Sequence, residues 1–445
     1  MKPAKQNTSQ QVDVCIGSAG TLVGRLTFVK QGQRENTVFA YAPEWLESPD
    51  RFEVSPDLPL VAGHTSRRAR GASDSVFHCA LADTAPDAWG RRIIARAHAK
   101  LRREVPELPA LTELDYLCAV DDFSRVGALR LRDGAGKYRR AAEDGKRTTP
   151  PLIELEKMYT ASRALENSQE TAEDLKYLQG KGTSLGGMRP KCTVLDENER
   201  LAIGKFPSVS DTRSVTRGEV LALHLATQAG IRAATARIVV MNGTPVAVIE
   251  RFDRSAALAR IAYLSAASML QASCDDTHSY AEIADIIRAR CVNPSQDARE
   301  LWRRMLFNLL ITNTDDHLQN HGFLYAGMGK WQLAPAFDLN PMPDKDRESK
   351  TWLTPESGPI DSVAMLLEGA AYFSLTPTQA LEVLAQVLNA VEGWRVKALS
   401  AGIGLQPKEL ADFENAFEHE ALEHARKALK REKKRAASIF LLAYL

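Results

Sequence analysis

Hydrophobic positions along the chain follow two rhythms, a two-residue alternation in a few places and a three-to-four-residue stripe through much of the rest. Val12, Val14 and Ile16 alternate with polar or small residues, Ser18-Ala19-Gly20 turns the chain, and Leu22, Gly24, Leu26 and Phe28 alternate again, which predicts a β-hairpin. Helices are expected to follow, one of them opened by Pro86-Asp87-Ala88-Trp89-Gly90-Arg91, with proline near the first turn. Between Arg132 and Pro151 apolar periodicity stops, and Asp133-Gly134-Ala135-Gly136-Lys137 followed by Thr148-Thr149-Pro150-Pro151 reads as a linker. Helical patterning returns over residues 152–178, and two short strands, 191–195 and 201–206, are joined by the turn Asp196-Glu197-Asn198-Glu199.

The strongest local signal is Asn242-Gly243 between two β-rich runs, 237–241 and 244–250. It favours a type I′ turn and makes the two runs adjacent antiparallel strands, with 246–249 buried. Farther on, Ser279-x-x-Glu282 and Thr376-Pro377-Thr378-Gln379 are helix-start signals. Leu301, Trp302, Met305, Leu306, Leu309 and Leu310 form a core-facing stripe that ends near Thr312. Trp331-Gln332-Leu333 reads as a returning strand, and Leu381, Leu384, Leu388 and Val391 again have core spacing. The fold class predicted is α+β, divided at 12–132, 133–151, 152–254 and 255–445.

Composition narrows the picture. The chain has 445 residues, 44% hydrophobic, 25% charged and 7% aromatic, with a formal net charge of +1, so it reads as globular and gives no whole-protein electrostatic grip on nucleic acid. No stretch approaches a membrane span, and the polar first eleven residues lack the apolar core of a secretory signal. The six cysteines stand apart without a Cys-x-x-Cys pair, which suits reduced thiols in a cytoplasmic protein. The basic run from Lys427 to Arg435 is expected to be the solvated face of a final helix.

The chemistry concentrates in four segments. Asn313-Thr314-Asp315-Asp316-His317-Leu318-Gln319-Asn320, followed by Phe337-Asp338-Leu339, resembles a kinase catalytic loop and metal-binding segment, with Leu339 in place of glycine. Asp315 would orient an attacking hydroxyl, while Asn320 and Asp338 would hold magnesium. The glycine-rich stretch from Gly180 to Lys191 can bring backbone N–H groups close to phosphates, or it is an ordinary turn. Lys205, on the strand that follows, either reaches nucleotide phosphates or is a solvated strand-edge lysine. Glu219 either pairs with Lys205 or completes a Thr216-x-x-Glu219 capping box. Glu250-Arg251-Phe252-Asp253-Arg254 sits where a kinase places its hinge; by charge alone it reads as solvated surface. His317 and His321 have a zinc-compatible spacing, but Leu318 stands where a metalloprotease needs glutamate, and His317 is expected to brace the loop by hydrogen bonding.

Taken together, Thr183-Ser184-Leu185-Gly186-Gly187-Met188-Arg189-Pro190-Lys191, Glu250-Arg251-Phe252-Asp253-Arg254, the Asn313 to Asn320 run and Phe337-Asp338 resemble the HipA family of serine/threonine kinase toxins. Asp87-Ala88-Trp89-Gly90-Arg91 and Gly127-Ala128-Leu129 resemble that family's N-terminal subdomain, so the likeness covers nearly the whole chain. It implies a two-lobed kinase-like core with a mostly helical C-terminal lobe and ATP and Mg2+ as cofactors. It implies Asp315 as catalytic aspartate, and Asn320 and Asp338 as magnesium ligands. Thr183, Ser184, Leu185, Gly186, Gly187, Lys205, Glu250, Phe252 and His317 would lie about the nucleotide. Ser184 falls on the family's autophosphorylated serine, with Thr183 the neighbouring alternative. The implied substrate is a cytosolic protein such as an aminoacyl-tRNA synthetase. The implied partner is a HipB-like helix-turn-helix antitoxin, through which alone DNA would be reached. The competing reading is a regulatory module that binds such a complex without turnover. The chain departs from some relatives in Gly186-Gly187 and Arg189, where they carry Ala-Gly and Gln, and in Asp316, a second acid beside Asp315.

Overall fold

The alternation at the N-terminus builds a longer sheet than a hairpin. In a computed structural model that describes residues 7–71, 74–142, 148–179, 187–273, 276–344 and 348–443, β1 (Asn7–Ile16) pairs antiparallel with β2 (Thr21–Gln31), with a bulge at Val14/Cys15. β3 (Arg34–Tyr41) and β4 (Thr65–Arg68) continue this sheet where helices were expected, and β5 (Leu129–Arg132) closes its other side, giving the order β4-β3-β2-β1-β5. β3 escapes a sequence reading because its first half is Arg34-Glu35-Asn36, and apolar Val38 and Ala40 on the outward face blur the alternation of the buried Thr37, Phe39 and Tyr41. The helix Ala88–Glu104 does begin at the Pro86-Asp87 signal, with Asp87 as its N-cap.

β6 (Lys191–Leu195), β7 (Leu201–Lys205), β8 (Ala236–Met241) and β9 (Thr244–Glu250) form a second sheet, in the order β6-β7-β9-β8. Asn242 and Gly243 both have positive φ, 47° and 81°, as the type I′ reading requires. The helix Leu155–Glu166 lays Leu155 and Met158 on Cys192, Val194, Ala202, Phe206, Val246 and Val248. Gly204 permits that approach, since a Cβ there would lie 2.9 Å from the Leu155 side chain. A third sheet, β10-β11-β12, consists of Tyr263–Ser265, Gly322–Gly327 and Lys330–Leu333.

The chain divides into two compact units. The first comprises Met1–Ser210, Val239–Asp276 and Gly322–Trp331; the second comprises Asp211–Ile238, Thr277–His321 and Gln332–Leu445. The second is helical. Its central helix, Pro294–Leu310, buries Leu301, Trp302, Met305, Leu306 and Leu310, and the Trp302 indole N–H donates to the Leu366 carbonyl at 2.9 Å. Capping boxes start Tyr280–Arg290 at Ser279 and Pro377–Glu392 at Thr376, as their sequences predict. No helix among the described residues is long and apolar enough to cross a membrane.

Candidate active site

Residues 313–320 hang from the end of the central helix. That helix stops where Thr312 takes a left-handed φ of 53°, and the Asn313 N–H returns to the Asn308 carbonyl at 2.9 Å. Asp315 and Asp316 then point to different environments. Asp316 turns inward and is 3% exposed; it accepts hydrogen bonds from Asn308 Nδ2 at 2.6 Å, His321 Nε2 at 3.1 Å and the Tyr280 hydroxyl. Burial alone would raise its pKa, but His321 and the Tyr280 hydroxyl outweigh that and hold the carboxyl below its usual value.

Asp315 remains 42% exposed and pairs with Lys350. The segment carrying Lys350 is pinned on both sides, with the Lys350 N–H donating to the Thr314 carbonyl at 3.3 Å and Thr351 Oγ1 to the Asp316 carbonyl at 2.7 Å. Asn320 is buried, and its amide nitrogen donates to the Asp315 carbonyl at 2.9 Å, which turns the carboxamide oxygen away as an acceptor.

The Asp338 segment is strapped to the same loop. Asn340 N–H donates to Asn313 Oδ1 at 3.4 Å and Met342 N–H to the Thr312 carbonyl at 3.2 Å. Asp338 itself has a left-handed φ of 55°, and Asn340 Nδ2 lies 3.2 Å from its carbonyl and from its Oδ1. Leu339, in the place of glycine, is buried. Asp315, Asn320 and Asp338 are thus held in one unit on loops hydrogen-bonded to each other. An amide oxygen and a carboxylate are hard oxygen donors, which suits magnesium, a cation that keeps several waters and takes few protein ligands.

Histidine roles differ from expectation. Among the described residues the buried His317 Nδ1 meets no hydrogen-bond partner and so does not brace the loop, while the His317 backbone carbonyl accepts from Asn320 N–H at 2.8 Å. His321 does the bracing, through Asp316. Residues 318–320 form a 3-10 turn rather than the α-helix that a zinc pair would need.

In the first unit, β7 lies between β6 and β9, so Lys205 is on an inner strand and half-buried, and the strand-edge reading falls. Glu250 ends β9, opposite Ala202 of β7. Phe252 is half-buried, its ring 6.3 Å from that of Tyr263. The charged run around it is not solvated surface: Arg251 and Asp253 are buried. Asp253 binds the Gly127 N–H at 2.7 Å and Arg254 Nη1 at 2.8 Å, and Arg251 also donates to it. Arg251 reaches the Ser124 carbonyl, and Arg254 reaches those of Phe123 and Arg125, both at 3.0 Å. The reversal comes from partners more than 120 residues away. Burial would push the Asp253 carboxyl up, but Arg251 and Arg254 hold it well below the usual carboxylate range.

The Thr216 capping box does not form. The helix Val215–Gln228 has Ser214 at its N-cap position, without a side-chain cap, which puts Thr216 inside it and Glu219 buried in its body. Of the glycine-rich stretch, Thr183, Ser184, Leu185 and Gly186 lie outside the described residues; Gly187 has a φ of 85°. Lys350 was missed by sequence reading, since nothing local marks a lone lysine twelve residues past Asp338. Asp316 and His321 were read without their mutual pairing.

The HipA-like C-terminal domain model matches residues 183–394, and the HipA N-terminal domain model matches residues 13–132. The chain belongs to the HipA family. It is 24% identical over 408 residues, 87% of its own length and 85% of the relative's, to a Sinorhizobium fredii protein named "Putative kinase Y4mE". The HipA chain of the Shewanella oneidensis MR-1 HipA, HipB and operator DNA complex shares its fold, with a TM-score of 0.63 at 16% identity, covering 94% of this chain and 97% of that one.

Proposed function

We propose that the chain is an ATP-dependent serine/threonine protein kinase, acting as the toxin of a HipBA-like toxin–antitoxin pair on a cytosolic protein substrate. The observation that carries this reading is the joining of Asp315, Asn320 and Asp338 in one hydrogen-bonded pair of loops. Asp315 accepts and orients the substrate hydroxyl, which needs an exposed carboxylate on a fixed backbone. The Asn320 carboxamide oxygen and the Asp338 carboxylate would hold Mg2+, which would supply neutralisation of phosphate charge when bound. Lys205 takes nucleotide phosphates, and the backbone of Glu250 and Phe252 takes the adenine edge. The unpartnered His317 Nδ1 is supported as a nucleotide contact by the cost of leaving a buried polar atom unsatisfied.

The likeness to a HipA solved with HipB and operator DNA supports a HipB-like antitoxin as partner, with DNA reached through it. The substrate is taken to be a protein of the aminoacyl-tRNA synthetase kind, and Ser184, or its neighbour Thr183, to be an inhibitory autophosphorylation site, where a phosphate would add about −1.5 to −2 charge beside ATP. The test is incubation with labelled Mg-ATP and a host lysate. A labelled protein, with phosphate on Ser184 in active enzyme but not in Asp315→Asn, is expected; no transfer to any protein contradicts the reading.

A further inference from the structure

Asp87 serves two partners at once. Its Oδ1 caps the helix Ala88–Glu104 by accepting the Gly90 N–H at 2.6 Å, and its Oδ2 accepts from Lys191 Nζ at 3.1 Å. That ion pair is almost fully enclosed, with the Asp87 side chain 5% and the Lys191 side chain 3% exposed. Two residues on, Trp89 repeats the connection: its backbone N–H donates to the Gly187 carbonyl at 3.4 Å and its indole N–H to the Lys191 carbonyl at 3.2 Å. The Trp89 ring is fixed among Ile93, Ala161, Leu165, Leu175 and Leu178. One helix start therefore grips both ends of residues 187–191, where the glycine-rich stretch enters β6. Gly187 stands so close that a Cβ would lie 3.1 Å from Lys191 Nζ.

Lys191 is also the direct antiparallel partner of Lys205, so the two side chains leave the same face of the sheet. Like charges directly opposite repel, and the Asp87 carboxylate neutralises the Lys191 ammonium beside Lys205. We propose that Asp87, Trp89 and Lys191 form a positioning latch for the nucleotide: the Asp87–Lys191 pair and the Trp89 hydrogen bonds fix residues 187–191 where they enter β6 beside Lys205. This rests on the kinase reading above, and it gives the N-terminal domain a direct part in ATP affinity.

Asp87→Asn tests it cleanly, because asparagine remains a good N-cap while the charge is lost. The double variant Asp87→Asn/Lys191→Met removes the stranded buried charge and so guards against simple misfolding. Mg-ATP affinity by calorimetry and KM for ATP are measured beside thermal melts. The latch predicts affinity weakened about tenfold or more in Asp87→Asn, with kcat at saturating ATP nearly kept, and affinity still weak in the double variant even though its melting recovers. Wild-type affinity in Asp87→Asn, or affinity that returns together with stability in the double variant, overturns the latch alone. Failure of the wild-type protein to bind Mg-ATP overturns the kinase reading and the latch with it.

Discussion

Replacing Asp316 with asparagine removes one charge from the support beneath Asp315 and almost no volume. The carboxylate accepts from Asn308, His321 and the Tyr280 hydroxyl, whereas an asparagine oxygen has two lone pairs and its amide would face a donor. Hydrogen bonds to a charged group are each worth about 1.5–3 kcal/mol, and a buried donor left unsatisfied costs about 1–3 kcal/mol, so a net loss of about 2–4 kcal/mol is expected for this conservative change. At roughly 2–4 °C per kcal/mol, melting of the second unit falls by about 5–15 °C. Asp315 is the next residue, and a displacement on the order of 1 Å at a reacting group costs about 100-fold in rate. Calorimetric melting and phosphotransfer at saturating Mg-ATP, run at a temperature where both proteins are folded, test the two effects together. A variant that melts and turns over like wild type would refute the claim that this buried network holds the Asp315 loop.

Lys350→Met should leave melting nearly unchanged, since exposed ion pairs contribute about 0–1 kcal/mol, yet lower kcat by on the order of 10-fold or more through loss of the cation at Asp315; unchanged kcat would make that pair incidental. Asp338→Asn should weaken magnesium-dependent ATP binding, checked by calorimetry with and without magnesium, and an unchanged magnesium requirement would remove Asp338 from the metal site. Asp253 carries a depressed folded pKa, so its stabilisation is fully present above its unfolded pKa of about 3.9 and is lost as pH falls through the lower folded value. Melting of wild type should therefore fall below about pH 4, while Asp253→Asn should melt lower at neutral pH and lose less on acidification. Parallel melting curves for the two proteins across that range would contradict the assignment.

What the sequence disclosed was governed by distance along the chain. The Asn242-Gly243 turn, the capping boxes at Ser279 and Thr376 and the stripe from Leu301 to Leu310 are set by neighbours within a few residues, and each is present as read. The Thr216 box failed because Ser214, two residues earlier, starts the helix. The reading of Glu250 to Arg254 as solvated surface failed because the groups that bury Arg251 and Asp253, namely Ser124, Arg125 and Gly127, are remote in sequence. The same holds at the site. Asp315, Asn320 and Asp338 announce themselves by spacing, while Lys350, the Asp316–His321 pair and the Asp87–Lys191 pair depend on how segments return to one another.

The central claim is that Asp315 is the acceptor through which this HipA-family chain transfers phosphate from ATP. The most direct measurement compares wild type with Asp315→Asn for transfer of the γ-phosphate to protein, with Mg-ATP affinity and melting measured in parallel. The account predicts folding and nucleotide binding close to wild type and transfer reduced by about 1,000-fold or more. Transfer by Asp315→Asn at the wild-type rate would contradict it.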